Sequence, residues 1–304
     1  MLARYLKVAG LFQLLAAIVL GTVLTFAGLG LWLAVAIAAL LPLAVHGVPL
    51  AIEFVTGALI DRRPVARLGI AAFIAVWWGE TWRSFTVFNI DQAWRSRFPE
   101  PPLTRDPTRP AVLLVHGYMC NRGTWRHWLH HGLPTRWNVA TVNLEPVFGP
   151  VQGYAQTIHA AVERLRGATG AERVTLVCHS MGGLAARAYL RSHGHRAVKR
   201  VVTIDTPHHG TVFARLGRGR NARQMRNASE FVRQLAGEDE PLEFVCFASQ
   251  HDNLIVPRSS QVLASAQAVW FERTGHLAMT ASDAVLAKLI EVVERPQPMA
   301  AAAR

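Results

Sequence analysis

The sequence predicts an α/β protein, a mostly parallel, doubly wound sheet preceded by hydrophobic helices at the N-terminus. Three observations predict it. After Pro110, short β-branched runs alternate with amphipathic stretches. Those runs are apolar throughout rather than at every second position, the pattern of strands covered on both faces. Between Val8 and Leu59 the one formally charged residue is Glu53.

The N-terminal elements come first. "VAGLFQLLAAIVLGTVLTFAG" supplies a span over about 8–28, long enough as a helix to cross roughly 30 Å of hydrocarbon. A second span is expected over about 31–57, despite Pro42 and Pro49 within it. Arg4 and Lys7 precede the pair, and Arg62, Arg63 and Arg67 follow it. Positive charge at both outer ends places both on the cytoplasmic side. The first run is too long for a signal-peptide core and lacks a clear A-x-A site. "LGIAAFIAVWWGETW", over 68–82, is short for a span, and Trp77, Trp78 and Trp82 suit an interfacial helix. If it does span, the domain after it lies on the opposite side. Residues 1–88 therefore form a membrane-anchoring region and 89–110 an Arg- and Pro-rich linker.

Bulk composition agrees. Of 304 residues 51% are hydrophobic and 17% charged, with a net charge of +12. No nucleic-acid-binding signature accompanies the positive charge, and beside a membrane segment anionic lipid is the natural partner. Cys120, Cys178 and Cys246 are odd in number and widely spaced, which gives neither a disulfide framework nor a metal site. These features predict an integral protein of a bacterial-type inner membrane with its main domain facing the cytoplasm. Nothing marks an oligomeric state.

From 111 to 295 the strands read "AVLLVHG", "NVATVNL", "ERVTLVCHS", "VKRVVTIDTP", "EFVCFASQHD" and "AVWFERTGH". Helical stretches include "YAQTIHAAVERLRGATG" and "MGGLAARAYLRSHG", each stopped by Gly, and a last helix "SDAVLAKLIEVVER". Residues 296–304 read as a disordered tail.

The chemistry lies at the strand ends. Ser180 closes one apolar strand and opens a helix. A sharp turn there would lift its hydroxyl clear of the sheet, which requires small residues on either side, Cys178 and Gly182. Met181 N–H would face a developing oxyanion, aided by the helix dipole. His116-Gly117 ends the first strand, making Tyr118 N–H a second oxyanion donor. Asp252 and His276 follow the last two strands, giving the order Ser, Asp, His. A serine hydroxyl needs a base, and the base needs an orienting acid.

Taken together, "VHGYMCNRGTW", "VCHSMGG", "TIDTPHHGT", "HDNLIVP" and "GHLAMT" resemble the lipase and esterase branch of the α/β-hydrolase superfamily, its triacylglycerol lipases included. The resemblance covers about residues 110–295. It implies an α/β-hydrolase fold with an eight-stranded, mostly parallel sheet. It also implies a serine-nucleophile ester hydrolase with Ser180, Asp252 and His276 as triad and Tyr118 and Met181 as oxyanion donors. The departure is Cys178, where the motif has its first Gly.

Other residues compete for these roles. Asp205 also follows a strand and is the rival acid, with a turn-capping role if Asp252 serves. His179 is expected to pack under the serine turn, and His208 and His209 to order a loop. There is no H-E-x-x-H and no carboxylate cluster at ligand spacing, so no metal is expected and no cofactor is called for. Residues 211–240 read either as a lid over the site or as a solvated basic helix pair.

The expectation is a membrane-anchored serine hydrolase of carboxylic esters, acyl lipids or lipophilic small esters, acting through an acyl-enzyme. An acyltransferase or thioesterase would use the same triad. A non-catalytic membrane binding protein is the alternative from another class.

Overall fold

The computed structural model describes residues 1–61, 68–236 and 242–296. Arg62, Arg63 and Arg67, most of the expected C-terminal tail and the end of the expected lid lie outside the described residues.

Four helices open the chain: α1 (Leu2–Phe26), α2 (Leu31–Ala39), α3 (Leu41–Ile60) and α4 (Ile70–Thr86). α1 and α3 are long and apolar enough to cross a membrane. The second expected span is thus not one helix. It breaks at Leu40, and Pro42, at the start of α3, explains the break. Proline has no N–H for the preceding turn, and its ring crowds the carbonyl four residues back. α4 outruns the expected 68–82 segment and passes into a five-residue π-helical turn, Val87–Asp91.

The remainder is a six-stranded sheet: β1 (Ala111–Val115), β2 (Asn138–Thr141), β3 (Val174–His179), β4 (Val198–Ile204), β5 (Glu243–Ser249) and β6 (Gln267–Phe271). The order is β2-β1-β3-β4-β5-β6, with every neighbouring pair parallel. The eight strands expected from the resemblance are six among the described residues. The stretch before β1 carries Pro99, Pro101, Pro102, Pro107 and Pro110 and stays irregular. A chain so short of backbone donors cannot extend a sheet ladder.

Helices α5 (Arg126–His130), α6 (Leu133–Arg136), α7 (Ala155–Thr169), α8 (Met181–His193), α9 (Gly219–Gln224), α10 (Glu230–Ala236) and α11 (Asp283–Glu294) surround the sheet. α7 and α8 stop where the sequence said they would. Gly170 and Gly194 follow them at φ 76° and 75°, a region that favours glycine. Along β1 and β3 every side chain is buried. One core layer joins Leu113, Leu176, Ile158, Leu165 and Leu184. The other joins Val112, Val177, Trp125, Trp128, Val285 and Leu289. Each large apolar side chain so buried contributes about 1.5–3 kcal/mol. Cys120, Cys178 and Cys246 are all buried and unpaired.

The chain steps from β1 to β2 on one side, then returns to β3 on the other. The β1 and β3 ends therefore flank a switch in strand order, where open α/β sheets gather ligands. The N-terminal helices reach this end of the sheet. Arg83 on α4 donates to Thr124 O (2.8 Å) and Thr280 Oγ1 (3.1 Å), and Asp61 Oδ2 accepts from Arg258 N (2.7 Å).

Candidate active site

Ser180 sits between β3 and α8 with φ 54° and ψ −126°. Such a conformation is strained for a residue with a Cβ and persists only where its surroundings impose it. Here they do. Ser180 N–H donates to Ile204 O at 2.8 Å, and its carbonyl accepts from Thr206 Oγ1 at 2.9 Å. A Cβ on Gly182 would stand 2.6 Å from Val115 O, and one on Gly117 would stand 2.8 Å from Ser180 Cβ. The serine turn and the β1 loop thus approach so closely that both positions exclude a side chain. Cys178 lies within β3, fully buried, and burial pushes its thiol well above the ordinary range.

The β1 loop is fixed by His116. Its Nε2 accepts Leu144 N–H (3.0 Å), so Nδ1 carries the proton donated to Gly117 O (2.9 Å). Burial pushes this imidazole down to about 4, which keeps it neutral. Tyr118 follows Gly117, the residue packed against Ser180, and Met181 follows Ser180 itself at the start of α8.

His276 Nδ1 lies 2.8 Å from Asp252 Oδ2. Asp252 Oδ1 accepts Leu254 and Ile255 N–H, both at 2.7 Å. Burial opposes the Asp252 charge, but His276 and these two donors outweigh it and hold the carboxyl below its usual range. Burial likewise opposes an imidazolium at His276. The Asp252 carboxylate, with Glu80 further off, more than offsets this and raises the imidazole above its ordinary value.

Asp205, the rival acid, stands one contact further out. Its Oδ2 is 3.9 Å from His276 Nδ1, and its Oδ1 accepts Ser249 N–H at 2.8 Å. Rather than capping its own turn, it bridges from the end of β4 to the end of β5. Burial, then the neighbouring Asp252 charge, push its carboxyl well up. His179 Nε2 contacts His276 O (3.1 Å), and the two rings are 4.8 Å apart. His208 pairs with Thr203 Oγ1, and His209 Nε2 with Val262 O.

Ser180 and His276 line one cavity of about 640 Å³. Tyr118, Met119, Phe148, Phe213 and Leu216 line it as well, and so do Val45, Pro49, Leu50 and Glu53 from α3. The Tyr118 hydroxyl donates to Arg218 O (2.8 Å) and accepts Arg218 N–H (2.9 Å), tying the start of the expected lid to the β1 loop.

The contribution of α3 and α4 escaped the sequence reading. Glu53 Oε2 accepts Asn253 Nδ2 (2.7 Å), and the fully buried Glu80 accepts Leu277 and Ala278 N–H. One signal was available: an acid alone in an apolar run, as Glu53 is, marks a functional position.

A doubly wound parallel sheet, a strained serine at a strand-to-helix turn and a carboxylate-bonded histidine at the same rim define the α/β-hydrolase fold. The comparisons agree with this fold. The PGAP1-like alpha/beta domain family matches residues 152–280. A triacylglycerol lipase of Pseudarthrobacter phenanthrenivorans is 42% identical over 66 residues, 22% of this chain and 20% of that one. The lysosomal thioesterase PPT2 of Mus musculus is 27% identical over 121 residues, 37% of this chain and 38% of that one. The match thus spans well under half of either relative. Among solved structures, the mature lipase BlEst2 of Bacillus licheniformis superposes with TM-score 0.57 at 16% identity. That superposition covers 64% of this chain and 97% of that one.

Proposed function

We propose that the protein is a membrane-anchored serine hydrolase of carboxylic esters, acting on acyl lipids or lipophilic small esters. One observation carries the reading. A single cavity is lined both by a serine held at φ 54° and by an imidazole whose Nδ1 is bonded to a buried carboxylate.

With Nδ1–H given to Asp252, Nε2 of His276 is the free base. It takes the Ser180 proton as Oγ attacks the acyl carbonyl. The oxyanion is met by Met181 and Tyr118 N–H and by the positive end of α8. His276 then protonates the departing alcohol, leaving an acyl-enzyme on Ser180. Water, deprotonated by the same imidazole, releases the acid and restores the serine. This sequence uses protein groups alone. The apolar walls of the cavity, Phe148, Phe213, Leu216 and the α3 side chains, suit an acyl chain.

α1 and α3 anchor the chain, and both ends lie on the cytoplasmic side. Leu11, Phe12, Ile18 and Val19 leave an apolar face of α1 exposed, which suits lipid.

The test is turnover of aryl esters of increasing chain length by the full chain in detergent, beside Ser180→Ala. The substitution is expected to abolish both turnover and covalent capture of a fluorophosphonate while leaving the protein in the membrane fraction. Equal turnover by the two proteins overturns the assignment, and a wild type that takes no probe favours a non-catalytic binding protein. The likeness to a thioesterase favours a second reading, cleavage of thioesters by the same groups. Matched oxygen and sulfur esters of one acid separate the two, and added alcohol acceptors reveal acyl transfer.

A further inference from the structure

Two acids carried by the N-terminal helices have no part in the reaction just described, yet both converge on His276. Glu80 on α4 is completely buried. Its Oε1 accepts Leu277 N–H at 2.7 Å and its Oε2 accepts Ala278 N–H at 2.9 Å. These are the two residues that follow His276. On the other side, Gly275 is a glycine for want of room, since a Cβ there would collide with the Glu80 carboxylate. The His276 N–H itself goes to Asn253 Oδ1 at 3.1 Å, and Asn253 Nδ2 goes on to Glu53 on α3 at 2.7 Å. Three successive backbone N–H groups, 276 to 278, are thus held directly or through one amide by acids from α4 and α3.

We infer that Glu80 is a positioning residue for the His276 imidazole, so that α3 and α4 form part of the active site and are more than a tether. The inference rests on the reading of His276 as the base for Ser180.

The physical case is one of matching. A carboxylate only accepts, and it offers two oxygens to two adjacent donors. In this buried loop the donors would otherwise lie bare, which backbone groups avoid by moving. The loop has no regular structure of its own to oppose such movement: it runs from the end of β6 into a single 3-10 turn at Ala278–Ala281. Asp252 fixes the ring through Nδ1, but a ring follows its Cα. Misplacement of a reacting group by about 1 Å can cost on the order of 10²-fold in rate. Binding of the ester, which involves the apolar walls, need not change.

The experiment uses the full-length protein in detergent. Glu80→Ala and Glu80→Gln are compared with Leu165→Ala, a substitution in α7 within the core layer on the α7–α8 face, chosen to lower thermal stability without touching the site. Glu80→Ala is expected to lower kcat for an aryl ester by about 10- to 100-fold with little change in KM. Fluorophosphonate capture at Ser180 should slow by a similar factor. Glu80→Gln keeps one acceptor oxygen and the bulk of the side chain, so part of the rate should return. Leu165→Ala should lose stability and keep its kcat.

A wild-type kcat in Glu80→Ala overturns the inference, as does a kcat loss in Leu165→Ala that matches it at equal loss of stability. If Glu80→Ala does not accumulate, Glu80→Gln carries the comparison, and wild-type kcat in that variant then overturns it. A wild type that takes no fluorophosphonate removes the underlying reading instead, a result distinct from either.

Discussion

Asp205 Oδ2 lies 3.9 Å from His276 Nδ1 in a fully buried position beside Asp252. Asp252 closes the gap to 2.8 Å. Two acids at the ends of adjacent strands thus crowd one imidazole. They cannot both ionise cheaply in a buried site, and burial and mutual repulsion raise Asp205 while Asp252 stays charged. Asp252→Asn is expected to lower kcat on the order of 10³- to 10⁴-fold, because the amide cannot hold the required tautomer. Asp205→Asn keeps an oxygen for Ser249 N–H and places an amide beside Asp252. Its kcat/KM should stay within about fivefold of wild type, the worth of one neutral hydrogen bond. Ester kinetics of the two variants decide, and the reverse ranking would make Asp205 the orienting acid.

The raised value of His276 sets a pH dependence. In the proposed reaction the imidazole must be neutral to take the serine proton, so kcat/KM is expected to rise with pH through its folded-state value. The acid limb is expected to have its midpoint above about 6.5, the ordinary histidine value. Asp252, Asp205, Glu80 and Glu53 surround this ring, and His179 is the basic neighbour facing it. The linked stability has the opposite slope. Gained from the imidazolium, it is fully present below the unfolded value and is lost as pH rises through the folded one. A limb centred below 6 in a pH series of kcat/KM would contradict the picture.

Strain at Ser180 predicts a stabilising loss of function. Glycine enters the region φ 54°, ψ −126° without the Cβ penalty. Ser180→Gly should therefore unfold later than Ser180→Ala, by about 1–2 kcal/mol after the greater freedom of glycine in the unfolded chain is deducted. Thermal unfolding of the two inactive proteins side by side measures this, and an Ala variant at least as stable as the Gly variant would count against a strained serine.

The Tyr118 hydroxyl holds Arg218 by both its N–H and its carbonyl. Tyr118→Phe removes both bonds and leaves the Tyr118 backbone N–H in place. The segment that carries Leu216, exposed at the cavity rim, should loosen locally by about 1–3 kcal/mol. Limited trypsin digestion is expected to cut faster after Arg218 and Arg220, and an unchanged cutting rate would show that other contacts hold the segment.

Local features of this chain were readable from sequence. The six strands follow their apolar runs, and Gly170 and Gly194 end α7 and α8 at the positions given by their left-handed preference. The turn at Ser180 was legible because a strand-to-helix turn needs small neighbours, and Gly182 has no room for a Cβ. Contacts between distant segments were not. Glu80 meets Leu277 across 197 positions, and no periodicity within α4 reveals which loop its buried acid will serve. Hydropathy runs unbroken across Leu40, and only Pro42 marks the break there. Six strands among the described residues, in place of eight, fit the run of prolines before β1, which removes donors a ladder needs.

The three buried, unpaired thiols have a practical side. A maleimide spin label or fluorophore offered to the folded protein should meet no competing sulfur at the surface. A single cysteine introduced at exposed Leu216, paired with another at exposed Val48 on α3, would then report by electron resonance or energy transfer whether the rim draws away from the membrane helix when an ester enters.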